Sequence, residues 1–448
     1  MASRKKLLTT LLCGAVTVGL LAGCGDNSSN SSSNASSNSG SNASASGEKV
    51  KLRMIESLTS PNRTKLIQAS IDKFEAANPN IEVELISPPF DQADNKIRTM
   101  LGAKEDLDVL EVRDLNVAEM VNNGFVEPLN TYTDKWSDFG SLTAVSKSVG
   151  SVGDKIYFIP NGLYERQLFY RADWFKELGL TPPKTWDELY ETAKKLTDPA
   201  KNRFGFSFRG ASGSNGTTDA MILAFNGANV NTEDSMFTKD GKTVYSTPEA
   251  KAAMELYLKL YKDASPPDSI NWGFQEQVQA FTSGVTGMLL QDPDVIQSLK
   301  EKMQDGTWAT APLQTGPTGK ALFAAGGAGW GIASNSQHKE EAWKLIEFLS
   351  SPAENTQFSK DYGLIPIHSS ASEDEFFKTG PYKTLLDMSN QPDTFVNFKP
   401  PFQYSGNGQW GQVAMDSTQA LLLGKANLDD TLAKWDKYWS DEKAKLGK

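Results

Sequence analysis

The chain has 448 residues, with 45 basic and 55 acidic side chains and a net charge of −10 at neutral pH. So acidic a protein lacks the basic surface that neutralises nucleic-acid phosphates, which excludes nucleic acid as a partner. The roughly 400 residues that remain after an atypical N-terminus exceed one ordinary domain, and two lobes are therefore expected.

Residues 1–23 have the pattern of a secretory signal peptide. Arg4, Lys5 and Lys6 form a basic start without an acid, and the apolar residues 7–22 follow. This run is shorter than the roughly 20 apolar residues of a transmembrane helix, and small residues close it. We therefore predict export, and removal of the three basic residues takes the net charge of the mature chain from −10 to −13.

The segment Leu21-Ala22-Gly23-Cys24 resembles the processing box of bacterial lipoproteins. The chain has two cysteines, and since Cys13 lies in the signal, Cys24 is the one that the mature chain keeps. An odd thiol in an exported protein needs an explanation, which acylation provides. The resemblance implies cleavage before Cys24 and a lipid anchor on its side chain.

Residues 24–48 are predicted to form a disordered tether. Positions 25–48 contain eleven Ser and five Asn, and only Asp26 and Glu48 are charged. A sequence of this kind cannot bury enough apolar surface to offset its ordering entropy. As a flexible coil it would reach roughly 25 Å, which places the folded body at the extracellular face of a bacterial cell membrane.

The folded body is predicted to begin with a β-α-β unit. Residues 50–55 read as a strand, and a helix with an apolar face begins at Pro61 and stops before Pro79. Alternating apolar and acidic residues over 81–85 predict a second strand, and 107–112 predict a third. Crossovers of this kind require a parallel sheet covered by helices.

Later helices have clear start signals. Thr185 and Glu188 have the spacing of a capping box, and Thr247 precedes a proline at the first helical position. Residues 342–349 place their apolar side chains on one helical face. Strands and helices alternate along the whole body, so the fold class is α/β.

Several stretches resemble one family of proteins. Residues 153–180, with GDKIYFIPNGLYERQLFYRADWFKELGL, are followed by PPKTWDEL, and three further segments match in the same order: 280–291, 326–351 and 362–367. Together they resemble the family 1 extracellular solute-binding proteins of ABC importers, the sugar-binding, maltose-binding-protein-like group. The similarity covers residues 49–448, and it follows a lipoprotein box.

The resemblance implies an α/β, two-lobed periplasmic-binding-protein-like fold with a hinge between the lobes. The N-lobe would comprise 49–160 plus 322–366, and the C-lobe 161–321 plus 367–448. A carbohydrate, expected to be an oligosaccharide, would be captured by hinge closure in the cleft between them and delivered to the transmembrane subunits of an ABC permease. The resemblance further implies a monomer without chemistry, cofactor or metal.

A saccharide presents hydroxyl groups at its edge and C–H groups on its faces. The site therefore requires hydrogen-bonding side chains, expected after the carboxyl ends of strands, together with aromatic plates. Asp292-Pro293-Asp294 stands where many relatives have Gly-Trp, so the aromatic residue that stacks on the sugar is left open. Trp410, predicted to precede a helix from Gln412, is the first choice for this role. The candidate ligand-binding residues are Glu56, Asp91, Arg113, Asp114, Asn161, Tyr164, Arg209, Trp272, Asp292, Gly326, Gly327, Trp330 and Trp410.

Two alternatives to a neutral sugar remain. Arg113, Arg166 and Arg209 would favour an anionic or non-sugar solute, such as a uronate oligomer, a polyol phosphate or a peptide, if they converge in the cleft. A surface glycoside hydrolase would need only paired carboxylates, which are abundant. The chain has two histidines, His338 and His368, which makes a Ser-His-Asp hydrolytic site improbable. We therefore expect that the protein is not an enzyme.

Replacing Cys24 by serine should abolish membrane attachment. In a bacterial host the wild-type chain should incorporate radiolabelled palmitate and sediment with membranes, because the Cys24 thiol carries the acyl group. The C24S variant should be unlabelled, whereas C13S, which alters only the signal, should still be labelled. Label on the C24S chain would contradict the assignment.

Overall fold

The computed structural model describes residues 49–447. The predictions for the signal peptide, Cys24 and the tether concern residues outside this range. None of the helices within 49–447 combines the length and apolarity that crossing a lipid bilayer requires.

Strands and helices alternate along the described residues. The strands are β1 Val50–Ile55, β2 Ile81–Ile86, β3 Val109–Arg113, β4 Ser151–Val152, β5 Lys155–Ile156, β6 Ile159–Tyr164, β7 Gln167–Tyr170, β8 Phe204–Phe206, β9 Thr286–Gln291, β10 Ala309–Ala311, β11 Ala321–Phe323, β12 Gly326–Ile332 and β13 Phe395–Asn397. The α-helices are α1 Pro61–Ala77, α2 Phe90–Gly102, α3 Asp114–Asn122, α4 Asn130–Thr133, α5 Ala144–Val149, α6 Ala172–Leu178, α7 Trp186–Leu196, α8 Asn215–Asn226, α9 Pro248–Ala264, α10 Phe274–Thr282, α11 Val295–Lys302, α12 Lys339–Leu349, α13 Pro352–Tyr362, α14 Gly380–Ser389, α15 Asn407–Leu422 and α16 Leu428–Leu446.

The first sheet has five strands in the order β2-β1-β3-β12-β6. Strand β1 is parallel to both β2 and β3, so the predicted β-α-β unit is confirmed. Strand β12 enters between β3 and β6 and runs antiparallel to both. It returns from a distant part of the sequence, and the sheet is therefore assembled from two separate segments of the chain.

Local capping fixes the helix starts that the sequence predicts. The Ser60 side chain accepts a hydrogen bond from the backbone N–H of Arg63 at the start of α1, where Pro61 occupies the first turn. Thr247 caps α9 in the same way. Thr185 caps α7, but the Glu188 carboxylate accepts from the backbone N–H of Lys184, so the reciprocal half of the predicted capping box is displaced by one residue.

The second sheet has four strands in the order β10-β7-β9-β8. Strand β9 is antiparallel to β7 and parallel to β8. Helices α7, α8 and α9 pack with β8 and one another around a separate hydrophobic core that contains Trp174 and Trp186. The first sheet has its own buried clusters, and each sheet is therefore the centre of its own core.

The two sheets are connected where β6, the edge strand of the first sheet, passes into β7, an inner strand of the second. In the first sheet, Tyr164 at the end of β6 lies opposite Gly326 at the start of β12. In the second, Gln167 at the start of β7 lies opposite Gln291 at the end of β9. Only Glu165 and Arg166 separate these positions, so the edges that carry the strand ends of both sheets face a common region.

Candidate functional site

The common region between the two sheet edges collects several of the predicted site residues. Arg113 ends β3, and Tyr164 ends β6 at the same edge of the first sheet. Arg209 follows β8, and Asp292 follows β9, at the facing edge of the second sheet. Ligands of open α/β sheets bind beyond the carboxyl ends of strands, so this region is the candidate site.

Three arginines converge in this region. Arg113 donates to the Asp94 carboxylate at 2.9 Å, and Arg166 lies 3.9 Å from the Asp292 carboxylate. Burial, together with the neighbouring Arg166 and Arg113, lowers the pKa of Arg209 to about 10 against the opposing effect of Asp292 and Asp294. Arg166 and Arg113 thus lie near enough to Arg209 to affect its charge, and the binding of an anionic solute stays a prediction.

Two acids of the site are held in their neutral form at neutral pH. Burial, reinforced by Asp292, raises the pKa of Glu165 to about 8 and that of Asp294 to about 8. One carboxyl oxygen of each, and the Tyr164 hydroxyl, are buried without a hydrogen-bond partner. Unpartnered buried polar atoms are rare and need an explanation, which a ligand at this position would supply.

Asp114 and the two predicted glycines form one hydrogen-bonded unit. The Asp114 carboxylate accepts from the backbone N–H of Gly327 at 2.8 Å and from its neighbour Leu115 at 2.6 Å. A Cβ on Gly326 would lie 3.1 Å from the same carboxylate. The Gly327 amide, predicted to approach the ligand, is thus bonded to Asp114 and fixes β12 against α3 instead.

Aromatic rings accompany two of the arginines. The Arg113 guanidinium lies 6.0 Å from the centroid of the exposed Phe90 ring, and the Arg209 guanidinium lies 6.0 Å from that of Phe274. Trp272 is half-buried, and its backbone oxygen accepts from Ala211 beside Arg209. Phe274 is not among the candidates from the sequence, whereas Phe90 and the candidate Asp91 form the pair that follows the second predicted strand.

Asp91 lies in the exposed first turn of α2, one turn before the Asp94 that holds Arg113. Arg166, Glu165 and Asp294 are further residues of the region that the candidate set lacked. Glu165 and Arg166 lie in the segment that joins the two sheets, and Asp294 lies in the loop after β9; only the pairing of the strands shows that these segments meet.

Glu56 and Asn161 do not face the candidate site. The Arg63 guanidinium donates to Glu56 at 3.0 Å and also to Glu111, and all three side chains are fully buried. Asn161 donates to Glu111 at 2.6 Å, and Thr64 donates to Glu56 at 2.5 Å. Glu56 was expected in a loop that accepts from sugar hydroxyls, but its oxygens are already occupied within the first lobe.

Within this network, Glu111 and Arg63 stabilise each other's charged form. Burial alone would raise the pKa of Glu111, but Arg63 and the backbone N–H groups of Leu58 and Ser57 outweigh burial and hold it below its usual value. For Arg63 the effect of burial is likewise exceeded by the nearby carboxylates, chiefly Glu111, which raise its pKa.

Trp330 is a core residue of the first sheet. Only 3% of its surface is exposed, and its indole lies 6.0 Å from the Arg63 guanidinium. It lines a cavity of about 10 Å³ with Asn161 and Phe358, which holds no more than about one water molecule. The indole therefore offers no plate to a sugar ring in this structure.

Trp410 is buried as well, with 3% of its surface exposed. The predicted helix start at Gln412 was wrong, because α15 begins at Asn407 and includes Trp410. The indole Nε1–H donates to Asp219 at 2.9 Å, and its ring packs against Tyr245 and Trp435. Trp410 thus belongs to the aromatic core of the second sheet and does not line the candidate site.

Within residues 49–447, no group of three His, Cys, Asp or Glu side chains is arranged to hold a metal ion. The site offers guanidinium, carboxyl, hydroxyl and aromatic groups. Such a set can bind a polar solute with flat apolar faces through hydrogen bonds and ring contacts.

Comparison with known proteins points to one family. Residues 60–356 match the bacterial extracellular solute-binding proteins. A putative binding protein of Brucella suis is 27% identical over 372 residues, 80% of this chain and 85% of that protein. The mannitol-binding protein of Pseudomonas aeruginosa is 25% identical over 62% of this chain and 64% of its own. A polygalacturonan/rhamnogalacturonan-binding protein of Bacillus subtilis is 24% identical over 80% of this chain and 73% of its own.

Solved structures share the fold. The maltose-bound MalE3 of T. maritima has a TM-score of 0.76 and 24% identity, covering 87% of this chain and 98% of its own. A mannitol-bound solute-binding protein of Agrobacterium vitis has a TM-score of 0.73 and 23% identity, covering 89% of this chain and 99% of its own. These similarities show the two-lobed α/β fold of periplasmic sugar-binding proteins.

Replacing Arg63 by methionine should lower the free energy of unfolding by about 3–5 kcal/mol, because Glu56 and Glu111 would be left buried without a cation. The matched control is Lys51→Met, which removes an ion pair with Glu84 that is largely exposed and should cost less than about 1 kcal/mol. Urea unfolding measures both. Equal losses in the two variants would contradict the role assigned to the buried network.

Stability without ligand should fall as the pH rises from about 5 to about 8. The folded state keeps a proton on Asp294 that the unfolded chain has already lost, so deprotonation favours unfolding across this window. Asp294→Asn should reduce the difference in unfolding free energy between the two pH values, and Asp154→Asn, at an exposed position, should leave it unchanged. An identical pH dependence of D294N and wild type would contradict the raised pKa.

Proposed function

The chain belongs to the bacterial extracellular solute-binding proteins, and we propose that it captures a carbohydrate between two lobes and delivers it to an ABC permease. Proteins of this family and fold bind substrates and are not enzymes. The proposed role therefore consists of binding, closure and release, without any bond being made or broken.

The proposal depends on one observation: the strand ends of both sheets face a common region at Glu165 and Arg166. Charged, hydroxyl and aromatic side chains from both sheets surround this crossing, and several of their polar atoms are buried without partners. A saccharide would satisfy these atoms with its hydroxyl groups and cover the aromatic rings with its C–H faces. Relatives named for mannitol and for polygalacturonan, and a maltose-bound structure, support this ligand class.

The lobes that we propose are 49–160 plus 322–366 and 161–321 plus 367–448, and a ligand would stabilise their closed arrangement. Helices α3 and α15 already touch: a Cβ on Gly408 would lie 3.6 Å from the Asn116 side-chain oxygen. Closure can be stabilised by no more than the ligand's preference for the closed form over the open one.

Attachment and partners complete the proposal. We place the protein at the extracellular face of a bacterial cell membrane, held through acylated Cys24 and the tether of residues 24–48. The closed lobes, as a monomer, would dock on the transmembrane subunits of the permease. An acidic body has no affinity for nucleic acid.

The residues proposed to contact the carbohydrate come from both edges. The set keeps the candidates that lie in the region and adds their neighbours: Phe90, Asp91, Arg113, Tyr164, Glu165, Arg166, Arg209, Trp272, Phe274, Asp292 and Asp294. Asp114 with Gly326 and Gly327 supports this set from the first sheet.

A screen of mono- and oligosaccharides by differential scanning fluorimetry should identify ligands that raise the melting temperature. Binding to the folded form alone stabilises it by about 2.7 kcal/mol at a ligand concentration of about 100 Kd. Asp292→Asn should weaken the binding of each such ligand, and Asp429→Asn, an exposed acid on α16, should not.

Two results would contradict the proposed function. One is a screen in which no saccharide shifts the melting temperature. The other is release of reducing ends from a bound glycan, which would assign the site to a hydrolase.

A further inference from the structure

Building on the proposed function, we propose that the carbohydrate is acidic and that Arg209, assisted by Arg166, binds its anionic group at the start of α8. The anion is a carboxylate or a phosphate on the sugar. The inference goes beyond the capture of a saccharide, because it names the group that distinguishes the ligand from neutral sugars.

Both guanidinium groups lie on the segment that opens α8. A Cβ on Gly216 would lie 2.3 Å from Nη1 of Arg166, and a Cβ on Gly213 would lie 2.5 Å from Cζ of Arg209. Glycine at these two positions lets both guanidinium planes approach the backbone closely. Arg166, from the crossing, and Arg209, from the loop after β8, thus reach the same helix terminus.

The start of α8 itself favours a negative charge. The N-terminus of this twelve-residue helix carries the partial positive charge of the helix dipole, and its first turn contains no acid. Its backbone N–H groups at Gly216 and Thr217 donate to the carbonyls of Gly213 and Ser214. Ser214 at the N-cap is fully buried, and its hydroxyl has no partner among residues 49–447. The helix start therefore lacks a side-chain cap and keeps a buried hydroxyl that could bind a ligand.

Arg209 has no counter-ion of its own. Its Nε donates to the backbone oxygen of Ser212 at 2.6 Å, and within residues 49–447 it forms no ion pair with a carboxylate at 4.0 Å or less. Arg113, by contrast, is bonded to Asp94. Arg209 is half-buried, and a partly desolvated cation without a carboxylate partner is costly; an anionic ligand would remove that cost.

The nearby carboxyls do not replace such a ligand. Asp292 lies 3.9 Å from Arg166, beyond hydrogen-bond distance. Asp294 is neutral at neutral pH, since burial raises its pKa to about 8. Phe274 beside Arg209 and Phe90 beside Arg113 offer apolar faces, which indicates an anion carried on a sugar ring rather than a free inorganic ion.

Isothermal titration of the purified C24S chain tests this inference. The probes are di- and trigalacturonate and a glucuronate-containing disaccharide, each with its methyl ester and its neutral parent sugar. Glucose 6-phosphate and maltose phosphate form the phosphate arm. We expect an acidic probe to bind about 10–100-fold more tightly than its uncharged counterpart, the effect of a hydrogen bond to a charged group.

The variants identify the arginine responsible. Arg209→Gln should remove this preference, and Arg209→Lys should restore part of it, because lysine keeps the charge but not the planar fork. The matched control is Arg203→Gln, which alters an arginine paired with Glu177 on the outer surface next to β8. Unligated melting temperatures of all variants report whether each one folds.

The outcomes separate the two levels of the proposal. Equal affinity for acidic and neutral probes, or an acid preference that persists in folded R209Q, overturns the inference and leaves carbohydrate capture intact. Binding of no acidic or neutral saccharide overturns both. An acid preference that R209Q loses, R209K partly regains and R203Q retains supports the inference, and the stronger arm identifies the anion.

Discussion

The buried contact of Arg63 with Glu56 and Glu111 is the interaction on which the first lobe depends. It joins the start of α1 to the end of β1 and the middle of β3, and Asn161 extends it to β6 through Glu111. The backbone oxygen of Asn161 accepts from Asn355, which in turn accepts from the Ile367 N–H. Breaking one partner of such a network leaves buried charges uncompensated, so these elements are fixed relative to one another.

This fixed arrangement positions the crossing to the second sheet. Strand β6 leaves the network at Asn161 and ends three residues later at Tyr164, immediately before Glu165 and Arg166. The crossing therefore starts from a rigid base, while the charged groups beyond it remain incompletely paired. Charged groups in the core are neutralised by their partners, whereas charged groups at the sheet edges are only partly neutralised. This distribution is expected of a site that binds a polar ligand.

Local signals in the sequence were sufficient for the start of the folded body and for several helix starts. The first β-α-β unit and the cap at Thr247 depend on neighbouring residues, so their patterns are read directly. The family was also recognisable, because its motifs occur in order along the chain and the match over 60–356 bears them out. Helix α15 began five residues before the predicted start, since its glycine-rich first turn gives no propensity signal.

The residues of the candidate site were harder to predict from the sequence than the helices and strands. Reasoning from strand ends drew attention to Arg113, Arg209 and Asp292, which the structure places in the candidate site, and their role in binding stays a prediction. The same reasoning assigned Glu56, Trp330 and Trp410 to the ligand site. The sequence pattern of an acid after a strand, or of an indole near a glycine, is the same whether the side chain faces solvent or the core. Their burial depends on Arg63, on Phe358 and on Asp219, respectively, and none of these partners is identifiable from the residue itself.

The sequence alone thus determined the α/β class, the first β-α-β unit, several helix starts, the family and the chemistry available at the predicted strand ends, because these follow from spacing and composition over short stretches. The tertiary structure decided which charges are already paired and which remain free. That distinction rests on contacts between residues far apart in the chain, such as Arg166 against Gly216 and Asp292, and only the folded strands bring them together.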